Sequence, residues 1–463
     1  MKRKLLISSA LISLTVLLYG GGIITNTNQS ASWVRMPSRN ATIGIDGVYY
    51  NPAGLSLLND GFHLSLNNQT IFQSKDVKNN YQFLTQTPFT YKGEIKVPLF
   101  PDIYAVWKKN KLAVSFGFSP VGGGGGATYE DGLPSFEMGV SDLKPLLTNM
   151  GLTTTQYSAD INFEGTSAYL GYQLGLSYQL ADLASFFVGA RLITAKNTYN
   201  GYIRNIMINP LHPLVNPTAA MISAPTFFTT IGQPVYAALT SDIEVDAEQT
   251  ATAVTPIIGL NLALNEKINI GVKYELKTTV DLKTKVNDNK AYPGFLEQDS
   301  VVHGDMPAMI SAGVDYKATP KLLTTLSLNY YFDKAVNYGK TLNDLPVKND
   351  KVIDKNFYEI GIGAEYSISE KFLVSVGYLR AITGVSKQYQ SDMDYSLSSN
   401  TIGGGIGYKV KDNIMINLGF DYVTYNEDQK TFDHVLGAAS IPVAETYYKD
   451  TIIIALGLDF SFE

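Results

Sequence analysis

The sequence predicts an all-β fold: a membrane-spanning antiparallel β-barrel of about 14 strands with an N-terminal hatch, or plug, inside the bore. Three observations predict it. Extended segments alternate between apolar residues and small or polar ones, short links between them take turns with long ones, and the chain carries an export-type leader.

The leader comes first. Lys2, Arg3 and Lys4 precede an apolar stretch from Leu5 to Leu18, and Gly20, Gly21 and Gly22 follow, which is the layout of a secretory signal peptide over residues 1–20. The stretch is short for a spanning helix, and no run of about 20 apolar residues occurs elsewhere. The 463 residues include Tyr 30, Phe 21 and Gly 40 but only 17% charged residues, a composition suited to sheets wetted on one face. The absence of cysteine excludes disulfides, thiolate metal sites, cysteine catalysis and a lipoprotein anchor. A net charge of -6 without a basic stripe excludes nucleic acid as a partner.

Residues 21–60 are too irregular and polar for a barrel strand and too rich in apolar anchors for a disordered tail, which places them in the bore as the plug. The barrel then spans 61–463. In "INIGVKYEL", Ile268, Ile270, Val272, Tyr274 and Leu276 share one face, against Asn269, Gly271, Lys273 and Glu275. "AYLGYQLGLSYQL" and the closing "TIIIALGLDFSF" repeat the pattern. A soluble sandwich would put many Lys, Glu and Thr on its polar face, whereas this face is rich in Gly, Ser, Asn and Gln. Tight links such as "KKN", "NEK", "ATPK", "SEK" and "KDN" alternate with long loops, as periplasmic turns and extracellular loops do.

Asp46 and the motif Asn51, Pro52, Ala53, Gly54 are followed by "DGFHLSLNNQTIFQ" as first strand, then by "GDMPAMISAGVDY" and the closing strand. On these residues the chain resembles the FadL/TodX family of outer-membrane transporters for long-chain fatty acids and aromatic hydrocarbons. By itself the motif reads as a turn, Asn before Pro starting it and Gly allowing positive φ. The resemblance adds a hatch role, with Asn51 bonding the wall and Pro52 stiffening the turn. It also implies a third strand kinked inward to open the wall. "LAVSFGFSP" counts as the third strand, so Pro120 and Gly122, Gly123, Gly124, Gly125 and Gly126 fall at or beyond that kink; a flexible extracellular loop is the alternative.

Two long loops are unusually apolar, and exposed apolar patches mark binding sites. Leu133, Phe136, Met138 and Leu143 in one, and Met221, Ile222, Phe227, Phe228, Val235 and Tyr236 in the other, are candidates for ligand capture; packing of the loops on each other is the alternative. Strand parity sends Arg191 and Lys273 into the lumen, where each is placed to bind a ligand carboxylate or to pair with an acid such as Glu275, Glu359, Glu365 or Asp421. His63, His212, His303 and His434 lack metal-ligand spacing, and parity turns His63 inward, away from where a barrel phospholipase would need it. No metal, cofactor or catalytic residue is therefore expected. The expected function is passive uptake of a hydrophobic small molecule by a monomer in the bacterial outer membrane, in contact with its lipid. A general diffusion porin and a structural or adhesin barrel are the alternatives.

Overall fold

The computed structural model describes residues 22–289, 297–342, 345–437 and 439–462, so the leader at 1–20 lies outside the described residues. Fourteen strands form the wall. The first five are β1 (Gly61–Asn79), β2 (Gly93–Lys109), β3 (Leu112–Tyr129), β4 (Tyr157–Ala181) and β5 (Ala184–Ile208). Then come β6 (Ile243–Ala263), β7 (Ile268–Glu275), β8 (Met309–Thr319), β9 (Leu322–Tyr331) and β10 (Tyr358–Ser367). The wall ends with β11 (Phe372–Ile382), β12 (Ser399–Lys411), β13 (Ile414–Tyr425) and β14 (Ala439–Phe462). Each pairs antiparallel with the next, and β14 returns to β1 from Phe62↔Phe462 to Asn79↔Glu445, which closes the ring. Closure leaves no sheet edge, the condition for strands to cross lipid. No helix among the described residues is long and apolar enough to cross a membrane.

The two faces of the wall follow the alternation. On β4, Leu174 and Leu176 face outward and are 63% and 48% exposed, while Gln173 and Ser177 on either side of them are buried. Phe186, Val188 and Leu192 continue the outer band on β5, and Ile258 and Val254 on β6. A belt of exposed aliphatics around a ring of buried amides and hydroxyls is an inside-out distribution in water and a matched one in hydrocarbon.

Residues 23–42 and 45–56 are buried within this ring. They carry two single-turn helices, α1 (Ala31–Val34) and α2 (Gly47–Tyr50), and a 3-10 turn over Pro52–Leu57. Ser30 caps α1 by accepting from the Trp33 N–H at 2.9 Å, and its own hydroxyl donates to Asp46 at 2.9 Å. Arg39 grips the same carboxylate in a fork of 2.5 and 2.8 Å, so Asp46 ties the two halves of the segment together. The inward glycines of the wall make the seat. A Cβ on Gly361 would stand 2.4 Å from the Pro37 carbonyl oxygen, and one on Gly271 would stand 2.3 Å from that of Asn40.

Further strands extend the wall outward: Phe89–Tyr91 on β1, Asp281–Asn289 on β6, and the hairpin arm Asp428–Leu436 on β14. Four short helices, α3 (Pro134–Ser141), α4 (Leu143–Asn149), α5 (Ala224–Thr230) and α6 (Pro234–Leu239), lie in the long loops.

Candidate functional site

The Asn51, Pro52, Ala53, Gly54 motif sits where the buried segment meets β4 to β7. The Asn51 amide donates to Asn261 at 2.7 Å and to the Thr42 carbonyl at 3.1 Å. Ser177 donates to the Pro52 carbonyl at 2.6 Å, and Ala53 packs with Phe187 and Ile257. Gly54 has no room for a side chain, since a Cβ would lie 2.5 Å from the Asn51 amide nitrogen.

The glycine run is part of β3. From Ser119 to Gly124 every residue is buried and the inside-outside alternation stops, so the strand turns into the bore. Pairing of β2 with β3 ends at Ile103↔Phe118 and resumes at Ile95↔Ala127, leaving 96–102 and 119–126 without a ladder between them. On the other flank the register with β4 slips between Pro120 and Gly122 and again between Gly122 and Gly125. Gly123 and Gly125 have φ of 89° and 63°, conformations open to glycine at little cost.

The freed main chain of β3 is taken up by the buried segment. The Asn26 N–H donates to the Val121 carbonyl at 2.9 Å, the Gly123 N–H to that of Ile24 at 3.2 Å, and the Gln29 amide to that of Pro120 at 3.0 Å. Across the gap, β2 carries Pro98 and Pro101, which bring no donors. Asn68 and Thr70 of β1 donate to the Pro98 carbonyl at 3.2 and 3.1 Å, and Leu99 stands 74% exposed on the outer side. Sequence reasoning placed the glycines and missed these prolines, although two prolines three residues apart within a regular strand are a readable signal of a wall defect.

Arg191 and Lys273 both point inward and are buried. Arg191 bonds Glu275 at 2.6 and 3.1 Å and Gln173 at 2.8 Å, while Lys273 bonds Glu275 at 2.7 Å and the Tyr49 carbonyl at 2.6 Å. The Tyr49 ring lies 4.2 Å from the Lys273 ammonium and 5.1 Å from the Arg191 guanidinium. Of the two readings of these cations, the geometry has the pairing with a wall acid, and through Tyr49 they join the wall to the buried N-terminal segment. Glu365 likewise holds Arg35 of that segment at 2.5 Å.

The apolar loops differ from the exposed surfaces expected of them. Leu143, Phe227 and Phe228 are buried in one cluster with Val140, Leu147 and Ile208, and Phe136, Ile222 and Tyr236 pack against it. Leu133 joins the main core, and Met138 packs with Tyr81, Leu84, Tyr91 and Val443. Only Met221 and Val235 of the ten are exposed. The loops bury one another because each is apolar enough to supply the other's core. Tyr91 and Tyr157 donate to Glu137 at 2.5 and 2.6 Å, and burial together with that carboxylate pushes the Tyr91 hydroxyl far above its usual range, keeping it a donor. Beside these groups a cleft of about 570 Å³ opens, lined by Phe89, Tyr157, Ile161 and Tyr202.

His63 faces the lumen and shares a hydrogen bond of 2.9 Å with Ser461, a partner the sequence did not reveal; His303 meets Asp281 and His434 meets Asp142, each at 2.8 Å. No group of three His, Asp or Glu side chains among the described residues is arranged to hold a metal ion.

The family model for outer membrane protein transport proteins (OMPP1/FadL/TodX) matches residues 12–462. Among solved structures, a Pseudomonas aeruginosa FadL homologue superposes with a TM-score of 0.65 at 13% identity, covering 96% of this chain and 100% of its own. The Pseudomonas putida toluene transporter TodX gives 0.58 at 14% identity, covering 96% and 100%. The Ralstonia pickettii toluene transporter TbuX gives 0.55 at 16% identity, covering 94% and 98%. At these identities the likeness is one of fold. No curated protein matches the sequence.

Proposed function

The chain belongs to the OMPP1/FadL/TodX family of outer membrane transport proteins, and from that premise we propose that it takes up hydrophobic compounds passively and releases them sideways through its wall. The observation that carries this reading is the missing ladder between 96–102 of β2 and 119–126 of β3, with residues 24–29 of the buried segment hydrogen-bonded to the inturned stretch 120–123. A ligand enters from the apolar loops, displaces residues 23–29 from β3, and leaves through the gap into the outer leaflet. Ile24, Asn26 and Gln29 are attached to β3 by main-chain and amide bonds at a strand that has lost one neighbour, and the same stretch is held by Gln69 of β1, Tyr104 of β2 and Glu359 of β10, so its release exchanges a small set of neutral and carboxylate hydrogen bonds. The rest is anchored to the wall by Asn51, Arg35 and the Tyr49 carbonyl, which Lys273 holds.

Downhill partitioning drives the passage. Each methylene moved out of water into hydrocarbon contributes about 0.8 kcal/mol. A general diffusion porin fits less well, because the plug occupies the bore.

The absence of cysteine gives a clean test. With Val97→Cys and Gly124→Cys joined by a short bis-maleimide, uptake of a labelled hydrophobic compound is expected to fall while the barrel stays inserted. Undiminished uptake after full cross-linking sinks the lateral route.

A further inference from the structure

Two polar residues interrupt the lipid-facing side of β1. Its outward series runs Phe62, Leu64, Leu66, Asn68, Thr70, Phe72, and the neighbouring strands place the polar pair at hydrocarbon depth. Asn68 stands opposite Leu456 and Thr70 opposite Ile454 on β14, and these stand opposite Leu418 and Phe420 on β13, all four exposed. A carboxamide at that level forgoes water, so it persists only where the protein itself supplies partners.

The partners belong to β2. Between the pairs Gln69↔Phe100 and Ile71↔Val97, Thr70 alone faces two residues, Pro98 and Leu99, so β2 carries one residue more than β1. Both are exposed while Phe100 beside them is buried, and the strand therefore bows outward. The Asn68 amide spans the bow: its nitrogen donates to the Pro98 carbonyl at 3.2 Å and its oxygen accepts from the Phe100 N–H at 3.0 Å. The Thr70 hydroxyl donates to the same Pro98 carbonyl at 3.1 Å. One side chain thus stands in for the main-chain donor and acceptor that the bulge takes out of the ladder. The bow falls within 96–102, the stretch without a partner on β3, and β3 turns inward across from it. The gap has two displaced margins, one moved into the bore and one moved toward lipid.

We infer that Asn68 is a positioning residue of the wall opening, which holds the β2 margin out and so sets the width of the exit, with Thr70 assisting. The inference rests on the reading of the chain as a carrier that releases its cargo sideways, and adds that the exit is shaped from the lipid side by β1 as well as from the bore by the glycines of β3. Without the clip, the Phe100 N–H and the Pro98 carbonyl face hydrocarbon unpaired, and seeking partners across the gap draws β2 toward β3. Broad solutes feel the narrowing before slender ones.

The chain has no cysteine, so Leu99→Cys and Leu174→Cys place spin labels on either side of the gap in the purified full chain. Unlabelled chain in proteoliposomes gives uptake rates for toluene, naphthalene and phenanthrene. Asn68→Leu is expected to shorten the distance between the labels and to slow phenanthrene several-fold more than toluene. Asn68→Gln, which keeps an amide, is expected to fall between wild type and Asn68→Leu in both readouts. Thr70→Val removes one of the two bonds to Pro98 and keeps the shape of the side chain; it is expected to act in the same direction by a smaller factor, and it decides the matter alone should Asn68→Leu fail to insert. An unchanged label distance overturns the clip whatever happens to uptake, and equal slowing of all the solutes overturns its control of width. A shortened distance with every rate at the wild-type value overturns the lateral route instead, and the part of Asn68 in passage falls with it.

Discussion

Arg191 of β5 and Glu275 of β7 meet at 2.6 Å across the intervening strand β6, with the plug residue Tyr49 over them. Lys273 completes the knot at 2.7 Å and also holds the Tyr49 carbonyl. Removing one partner of a buried ion pair strands the others and costs about 3–5 kcal/mol. Glu275→Gln is therefore expected to loosen the plug while the strand ladder persists. Raised single-channel conductance in planar bilayers, with unchanged heat-modifiable mobility, is the expected reading; an unchanged closed bore removes the knot from plug retention.

The glycine seat makes a second prediction. Gly361→Val places a side chain where the Pro37 carbonyl oxygen now lies 2.4 Å from the Cβ position, so the plug backbone has to move. Gly151→Val, whose Cβ position has no neighbour within 4 Å, is the control for a merely local effect, since its φ of 83° is strained for valine but lies in a loop. Protease accessibility of residues 31–40 is expected to rise in the first variant alone.

Much of this architecture was legible because a membrane wall writes itself at period two. Leu174, Leu176, Val188 and Ile258 had to face hydrocarbon, and the intervening Gln173, Gly175 and Ser177 had to face the bore. What stayed hidden depends on distance along the chain. Arg191 and Glu275 are 84 residues apart, so parity gave their direction and not their union. The burial of Phe227 and Phe228 was illegible for another reason: an apolar loop reads the same whether it faces a ligand or another loop. The strand Asp428–Leu436 lacks a hydrocarbon-facing side and so carries no membrane signal.

A pH effect follows from Asp333, outside the spanning strands, whose carboxyl burial pushes up to about 6 from 3.8. It accepts from the Phe357 N–H at 3.1 Å and from the Tyr338 hydroxyl, and its carbonyl accepts from Asn349 at 2.8 Å. A raised folded-state value means that the folded loop holds the proton more tightly, so stability is gained as pH falls through about 6 and is lost as pH rises through it. The full span is about 3 kcal/mol. Amide exchange in 333–357 is expected to be slower at pH 5 than at pH 7.5 after correction for intrinsic rates, and Asp333→Asn is expected to erase the difference.

The inward turn of β3 gives the last prediction, because two of its glycines differ in what they tolerate. Gly123 has φ of 89°, and a Cβ there would lie 2.6 Å from the Ser167 carbonyl oxygen; Gly126 would meet only a Thr166 methyl at 3.2 Å. Gly123→Ala then imposes both backbone strain and a clash with β4, together about 1–3 kcal/mol. The strand relieves this by straightening toward β2, which narrows the gap. Hydrophobic uptake is expected to drop several-fold in Gly123→Ala and to stay near wild type in Gly126→Ala, with both proteins inserted equally. Equal uptake by the two variants means that the shape of β3 at Gly123 does not control passage.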